Sequence, residues 1–145
     1  MEICTIGTAK RSAESFFGAL TAAGVQAVLD TRLRASSQLA GFTQARDLSF
    51  FVPRLVGAQY AQVAELAPTA AMLDDYKHRR LGWEAYAGQY LDLLERRQAA
   101  LRLQWLARFD RVALVCTEPA AERCHRRLAA EHLADRWPGA SVAHL

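Results

Sequence analysis

The strongest constraint on this chain is its alternation of short apolar runs with longer helix-like segments. EICTIG (2–7), VQAVLDTR (25–32), QYAQVAEL (59–66), RVALVC (111–116) and SVAHL (141–145) read as strands. Helical patterns fill most of the gaps. In TAKRSAESFFGALTAAG, Ser12 is the predicted N-cap, Glu14 lies in the first turn, Phe16, Phe17 and Leu20 form the apolar stripe, and Gly24 is the stop. TQARDLSFFVPRLVG (43–57) reads as a helix broken or kinked at Pro53. WEAYAGQYLDLLERRQAALRLQWLARF (83–109) is the longest helical region, as one helix or two, with Tyr86, Tyr90, Leu91 and Leu94 marking one face. ERCHRRLAAEHLADRW (122–137) is the last helix, ended by Pro138 and Gly139. Alternation of this kind predicts an α/β fold, a three-layer α/β/α sandwich around a mainly parallel sheet of about five strands. RVALVC, apolar without interruption, fits a strand covered on both faces.

Two stretches read as loops. RASSQLAGF (34–42) is polar and carries a glycine, and residues 67–82 show no clear period. The KHRR run, Lys77 to Arg80, reads as solvated charge. No repeat or internal boundary appears, so residues 1–145 form one domain, long enough to bury a core. No apolar run is long enough to span a bilayer and no signal-peptide pattern opens the chain. Three cysteines are too few and too scattered for a disulfide scaffold, which points to a reducing, cytoplasmic setting. A net charge of +3 is too small to demand a nucleic-acid partner.

The charged residues collect at one place. In a parallel sheet, ligands bind beyond the carboxyl ends of the strands. The first strand ends at Gly7 and Thr8, the second at Asp30 and Arg32, the third near Glu65, and the fourth at Cys116 and Glu118. Cys124, His125 and Arg126 return to that edge at the start of the last helix. The expected crevice thus holds thiols, carboxylates, a histidine and arginines. As ligand-binding groups, Arg32 and Arg126 would hold a phosphate or carboxylate beside Gly7 and Thr8, with Asp30 orienting an Arg or the His. As catalytic groups, Cys124 or Cys116 would act as nucleophile and His125 or Glu118 as acid/base. Adjacent helical residues diverge by about 100°, so Cys116 facing His125 is as good a pairing as Cys124 with its neighbour. A metal held by Cys116, Cys124 and His125, with Asp30, Glu118 or Cys4 as fourth ligand, is a weaker reading, because C-x7-C-H matches no usual zinc spacing. Gly7 stands without the further glycines of a nucleotide-binding fingerprint. The reading therefore calls for no metal and no cofactor.

The expected partner is a phosphate-bearing small molecule, a nucleotide, or more weakly nucleic acid. A nucleic-acid reader would need Arg32, Arg34, Lys77, Arg79, Arg80, Arg126 and Arg127 on one face. A non-catalytic binding or regulatory module is the alternative to an enzyme.

TIGTAKRSAESF, LDTR, the GF after the Arg/Ser-rich loop, and LVCTEPAAERCHRRLAAEHL with the terminal VAHL together resemble the domain-of-unknown-function family four-eight-eight. The most specific part is C-x-E-x5-C-H-R, carried by Cys116, Glu118, Cys124, His125 and Arg126, with D-x-R carried by Asp30 and Arg32. The resemblance implies a compact α/β domain with these residues in one pocket, and no established reaction. The chain departs from the family's T-I-G-H-S at Thr8-Ala9, where the His and Ser are missing, and from its Leu-Gly-Gly at Leu66-Ala67-Pro68.

Overall fold

The computed structural model describes residues 1–145 apart from the side chain of Leu39, within the predicted loop 34–42. Five strands, β1 (Glu2–Gly7), β2 (Ala27–Asp30), β3 (Gln59–Gln62), β4 (Arg111–Cys116) and β5 (Ser141–His144), form one all-parallel sheet in the order β3-β2-β4-β1-β5. The helices are α1 (Ala13–Ala22), α2 (Ala45–Phe51), α3 (Ala70–Lys77), α4 (Trp83–Arg96), α5 (Ala99–Arg102) and α6 (His125–Arg136). The chain runs outward from β1 to β2 and β3 over α1 and α2. It then returns through α3 to α5 on the other face to insert β4 between β2 and β1. The predicted three-layer α/β/α sandwich is the observed architecture.

Side-chain alternation along the strands builds a separate core on each face. Ile3, Leu29, Val112 and Leu114 pack with Tyr86, Tyr90 and Leu94 of α4 and Ala129 and Leu133 of α6. Cys4, Ile6, Val28, Ala113 and Val115 pack with Phe16, Phe17 and Leu20 of α1 and Leu48 of α2. The helix starts follow local chemistry. Ser12 Oγ accepts the Ser15 N–H at 3.1 Å and Gly24 ends α1 at φ +63°.

Five expectations need correction. The third strand stops at Gln62, and Ala64–Leu66 is a 3-10 turn, so this strand does not run to Glu65. Residues 67–82 are not a loop: they contain α3, capped by Thr69, whose Oγ1 accepts the Met72 N–H at 3.2 Å. Met72 is the one fully buried residue of α3, which is why no period shows. The loop 34–42 gives way to 3-10 turns over Gln38–Thr43. On α4 the buried fourth residue is Leu93, while Leu91 is 37 % exposed. The last helix starts at His125, three residues later than predicted.

Pro53 replaces a clean break with a wide turn, Val52–Val56, wound with π-type spacing and closed by Gly57 at φ +73°. The 83–109 region divides at Gln98, which adopts φ +51° between α4 and α5. The KHRR residues are exposed, as expected, and Arg80 pairs with Asp75 at 2.8 Å. Among the described residues no helix is long and apolar enough to cross a membrane.

Candidate functional site

The site forms where β4 hands over to α6. Cys116 is the last residue of β4, two beyond Leu114, and therefore faces the α4/α6 side of the sheet. Cys124 is the N-cap of α6 and His125 its first residue. All three are buried, and their donor atoms lie within 4.8 Å of one another.

His125 is held between the two strands' ends. Its Nδ1 lies 3.6 Å from Cys116 Sγ, and its Nε2 lies 3.1 Å from both the carbonyl oxygen and Oγ1 of Thr31. The Thr31 hydroxyl already donates to the Val115 carbonyl at 2.8 Å, so it can only accept from the ring. This network assigns the hydrogen to Nε2 and leaves Nδ1 to take or share the Cys116 proton. Tyr90 meets the ring edge-on at 5.5 Å.

The electrostatics follow from that chain. The hydrogen bond from Cys124 stabilises the Cys116 thiolate most. Burial opposes it, and the His125 charge and hydrogen bond and the Glu118 N–H reinforce it, so the Cys116 pKa lies well below the ordinary thiol value. Cys124 is the converse case: its S–H is spent on Cys116, which together with burial raises its pKa despite Arg126 nearby. For His125, burial works against the charge, but the facing Cys116 outweighs it and the pKa is raised. Both shifts run in the direction that favours thiolate and imidazolium.

Arg126 is buried, donates to the carbonyls of Glu118 and Pro119, and places Nη1 3.5 Å from Cys124 Sγ. Among the described residues no carboxylate pairs with it, and its Nε has no partner. It clamps the turn between β4 and α6 and leaves its charge near the sulfurs.

Cys116, Cys124 and His125 open onto a cavity of about 220 Å³, walled by Tyr76, Tyr86 and Leu73 and rimmed by Arg32, Arg34, Arg123 and Glu118. Tyr76 and Tyr86 lie with ring centres 4.8 Å apart. Glu118 is exposed at the mouth. Arg34 is also exposed and pairs with Asp74 at 3.2 Å.

Asp30 is two residues beyond Val28 and so faces the opposite side of the sheet from Cys116. There it binds Arg32 in two places, Nε–Oδ1 at 2.8 Å and Nη2–Oδ2 at 2.6 Å, and also accepts the Arg32 N–H at 3.1 Å and the Tyr60 hydroxyl at 2.8 Å. Asp30 orients Arg32, not His125. Burial opposes the Arg32 charge, and Asp30 more than offsets it, raising the pKa. Nη2 also donates to the Thr43 carbonyl at 2.7 Å, and Nη1 carries no hydrogen bond among the described residues.

Gly7 and Thr8 do not line the cavity. They support it from behind: Thr8 N–H donates to the Cys116 carbonyl at 2.9 Å, and a Cβ on Gly7 would fall 2.0 Å from the Glu118 carbonyl oxygen. Only glycine lets the turn pack there.

Cys116, Cys124 and His125 are also the groups able to hold a metal. Their 3.6 Å S–N spacing and the Nε2–H donated to a backbone carbonyl suit a tetrahedral ion. Cys4 and Asp30 lie on the far face of the sheet, leaving Glu118 as the candidate fourth ligand named from the sequence that stands on this side.

The sequence reading missed the roles of Thr31, Arg123, Tyr76 and Tyr86. Thr31 carried a usable signal, since it follows β2 directly at the ligand-binding edge. Tyr86 read as part of a core-facing helix stripe, and it is indeed buried. Tyr76 gave none because α3 was not recognised, and Arg123 gave none because the turn before α6 was read as helix.

A family model described as "Domain of unknown function DUF488" matches residues 12–133. No curated protein and no solved structure matches the chain.

Proposed function

The chain belongs to the DUF488 family of domains of unknown function, and from the geometry of its site we propose that it is an enzyme using Cys116 as a covalent nucleophile on a small phosphate-bearing substrate. One observation carries the reading: the Cys116–His125–Thr31 chain, oriented at both ring nitrogens, opens into an arginine-rimmed cavity. A nucleophile, a base and an orienting group in series are the parts covalent catalysis needs.

The thiolate of Cys116 attacks an acyl or phosphoryl centre. A bond forms to Sγ, and the leaving group departs with the proton carried by His125 Nδ1. Water then cleaves the thioester or thiophosphate, giving its proton back to His125 and restoring the thiolate. Cys124 positions Cys116 through its S–H. The free Nη1 of Arg32, with Arg34 and Arg123, supplies charge for the substrate phosphate, and the Tyr76–Tyr86 wall offers a flat surface to a base or similar ring. Glu118 at the mouth is a second acid/base group. The cavity holds a small molecule or one nucleotide unit rather than a duplex. Arg32 and Arg126 are buried with internal partners, which argues against one continuous basic face for nucleic acid.

The test is incubation with p-nitrophenyl acetate and p-nitrophenyl phosphate, with quenching and peptide mass spectrometry. The expected result is an acyl or phosphoryl adduct on Cys116, lost in Cys116→Ser and slowed in His125→Gln. Equal labelling of Cys4 and Cys116, or none, overturns the proposal. Saturable binding of inorganic phosphate or AMP without any adduct assigns the non-catalytic binding module instead.

A further inference from the structure

Covalent catalysis by Cys116 gives Cys124 only a supporting role, yet the second thiol is placed for chemistry of its own. The two sulfurs lie within 4.8 Å of each other at opposite ends of one turn. Residues 117–120 of that turn are exposed and outside regular helix or strand, and Cys124 itself has extended backbone angles, φ −131° and ψ 137°. A disulfide closes its sulfurs to about 2.05 Å. The movement asked of the turn is thus a few ångström at most, at a segment held at its start by the Ala9 N–H on the Thr117 carbonyl at 2.9 Å and beyond that by the Arg126 side chain.

We propose that Cys116 and Cys124 form a reversible redox pair, with Cys116 the thiol oxidised first and Cys124 the thiol that resolves it. The inference rests on the reading of Cys116 as the reactive thiolate, and goes beyond it in making the site a target of hydroperoxides.

The chemistry balances in two steps. The Cys116 thiolate attacks one oxygen of hydrogen peroxide, a proton from His125 Nδ1 completes the departing water, and the products are Cys116 sulfenic acid and H2O. The sulfur is oxidised by two electrons and the O–O bond takes them. Cys124 sulfur then attacks the sulfenic sulfur, its own proton leaves with the hydroxyl as a second water, and the Sγ–Sγ bond forms. Arg126 Nη1, 3.5 Å from Cys124 Sγ, stabilises the negative charge that develops there as the proton departs. A dithiol reductant reverses the bond by thiol–disulfide exchange.

Peroxide gains entry through the cavity onto which both sulfurs open. Cys4 is the internal control. It is fully buried on the opposite face of the sheet, and burial, then the nearby Glu2 carboxylate, push its pKa up to about 11.

The experiment treats reduced, metal-stripped full-length protein with one equivalent of hydrogen peroxide and maps it under non-reducing conditions. The expected result is a peptide joining Cys116 to Cys124, a loss of two hydrogen masses from the intact chain, free Cys4, and full reversal by dithiothreitol. Cys124→Ser under the same exposure is expected to stop at a dimedone-trappable sulfenic acid on Cys116, and to go on to irreversible sulfinic acid when a second equivalent of peroxide is added. Cys116 appearing as sulfinic acid in the wild type, with no cross-linked peptide, overturns the redox pair. Iodoacetamide trapping of the reduced protein separates the two readings. Cys116 alkylated at neutral pH without disulfide formation removes the redox pair and leaves the nucleophile standing, whereas an unreactive Cys116 removes both.

Discussion

The substitution Asp30→Asn tests the support beneath the arginine rim. It preserves size and shape while removing one charge. In the native protein the Asp30 carboxylate, 1 % exposed, receives four hydrogen bonds, three of them from Arg32 and one from Tyr60. Asparagine keeps one acceptor oxygen and turns a second N–H donor toward groups that are themselves donors. Outside this pair Arg32 keeps the Thr43 carbonyl, with the Tyr60 hydroxyl beside it. Breaking a buried pair from one side costs about 3–5 kcal/mol, and the surviving oxygen places this case near the lower end. With a urea slope of about 1–3 kcal/mol/M, the unfolding midpoint falls by roughly 1–3 M. The assay is urea unfolding followed by far-UV circular dichroism, repeated for Arg32→Met and for the double variant. The double is expected to cost less than the sum of the singles by about 1–3 kcal/mol, because each single strands its partner. A loss under about 1 kcal/mol for Asp30→Asn, or strict additivity, would refute the argument that Asp30 is the counter-charge holding Arg32 in place.

Three further outcomes are expected. Alkylation of Cys116 should persist well below pH 8.5 and fade only as pH drops through its depressed pKa, while Cys4 should stay unreactive up to about pH 11; coincident titration by site-resolved mass spectrometry would contradict the thiolate assignment. Thr31→Val removes the hydroxyl that bonds the Val115 carbonyl and steadies His125, so it should cost about 1 kcal/mol in thermal unfolding and move the Cys116 reactivity profile toward higher pH; an unmoved profile would show that the Thr31 carbonyl alone holds the ring. Gly7→Ala should destabilise by about 1–3 kcal/mol or more, because its Cβ meets the Glu118 carbonyl oxygen that also receives Arg126, and an unchanged melting temperature would mean the turn gives way freely.

Much of this architecture was legible in the chain. EICTIG and RVALVC are strands within the predicted bounds, Ser12 and Gly24 delimit α1, and alternating strands and helices imply a parallel sheet. These features are local: apolar period and cap chemistry act within a few residues. The gathering of Cys116, Glu118, Cys124 and His125 at the carboxyl edge also followed from connectivity. Helix α3 was hidden because Met72 is its one fully buried residue, and the start of α6 because a turn clamped by Arg126 occupies the preceding positions.

Partner choice within the edge belonged to the tertiary structure. Side chains alternate along each strand, so Cys116 follows Leu114 toward α6 while Asp30 follows Val28 toward α1 and α2. Which face each parity meets depends on where the helices pack. That placement separates Asp30 from His125, gives Asp30 to Arg32 and Tyr60, and brings Thr31 from the end of β2 against the ring. Residues 31 and 125 meet only because β4 inserts between β2 and β1, a pairing of strands distant in the chain that no local pattern encodes. The sequence by itself determined most of the elements, though not α3, and the edge at which the chemistry collects. The order of the strands decided which histidine nitrogen faces which sulfur.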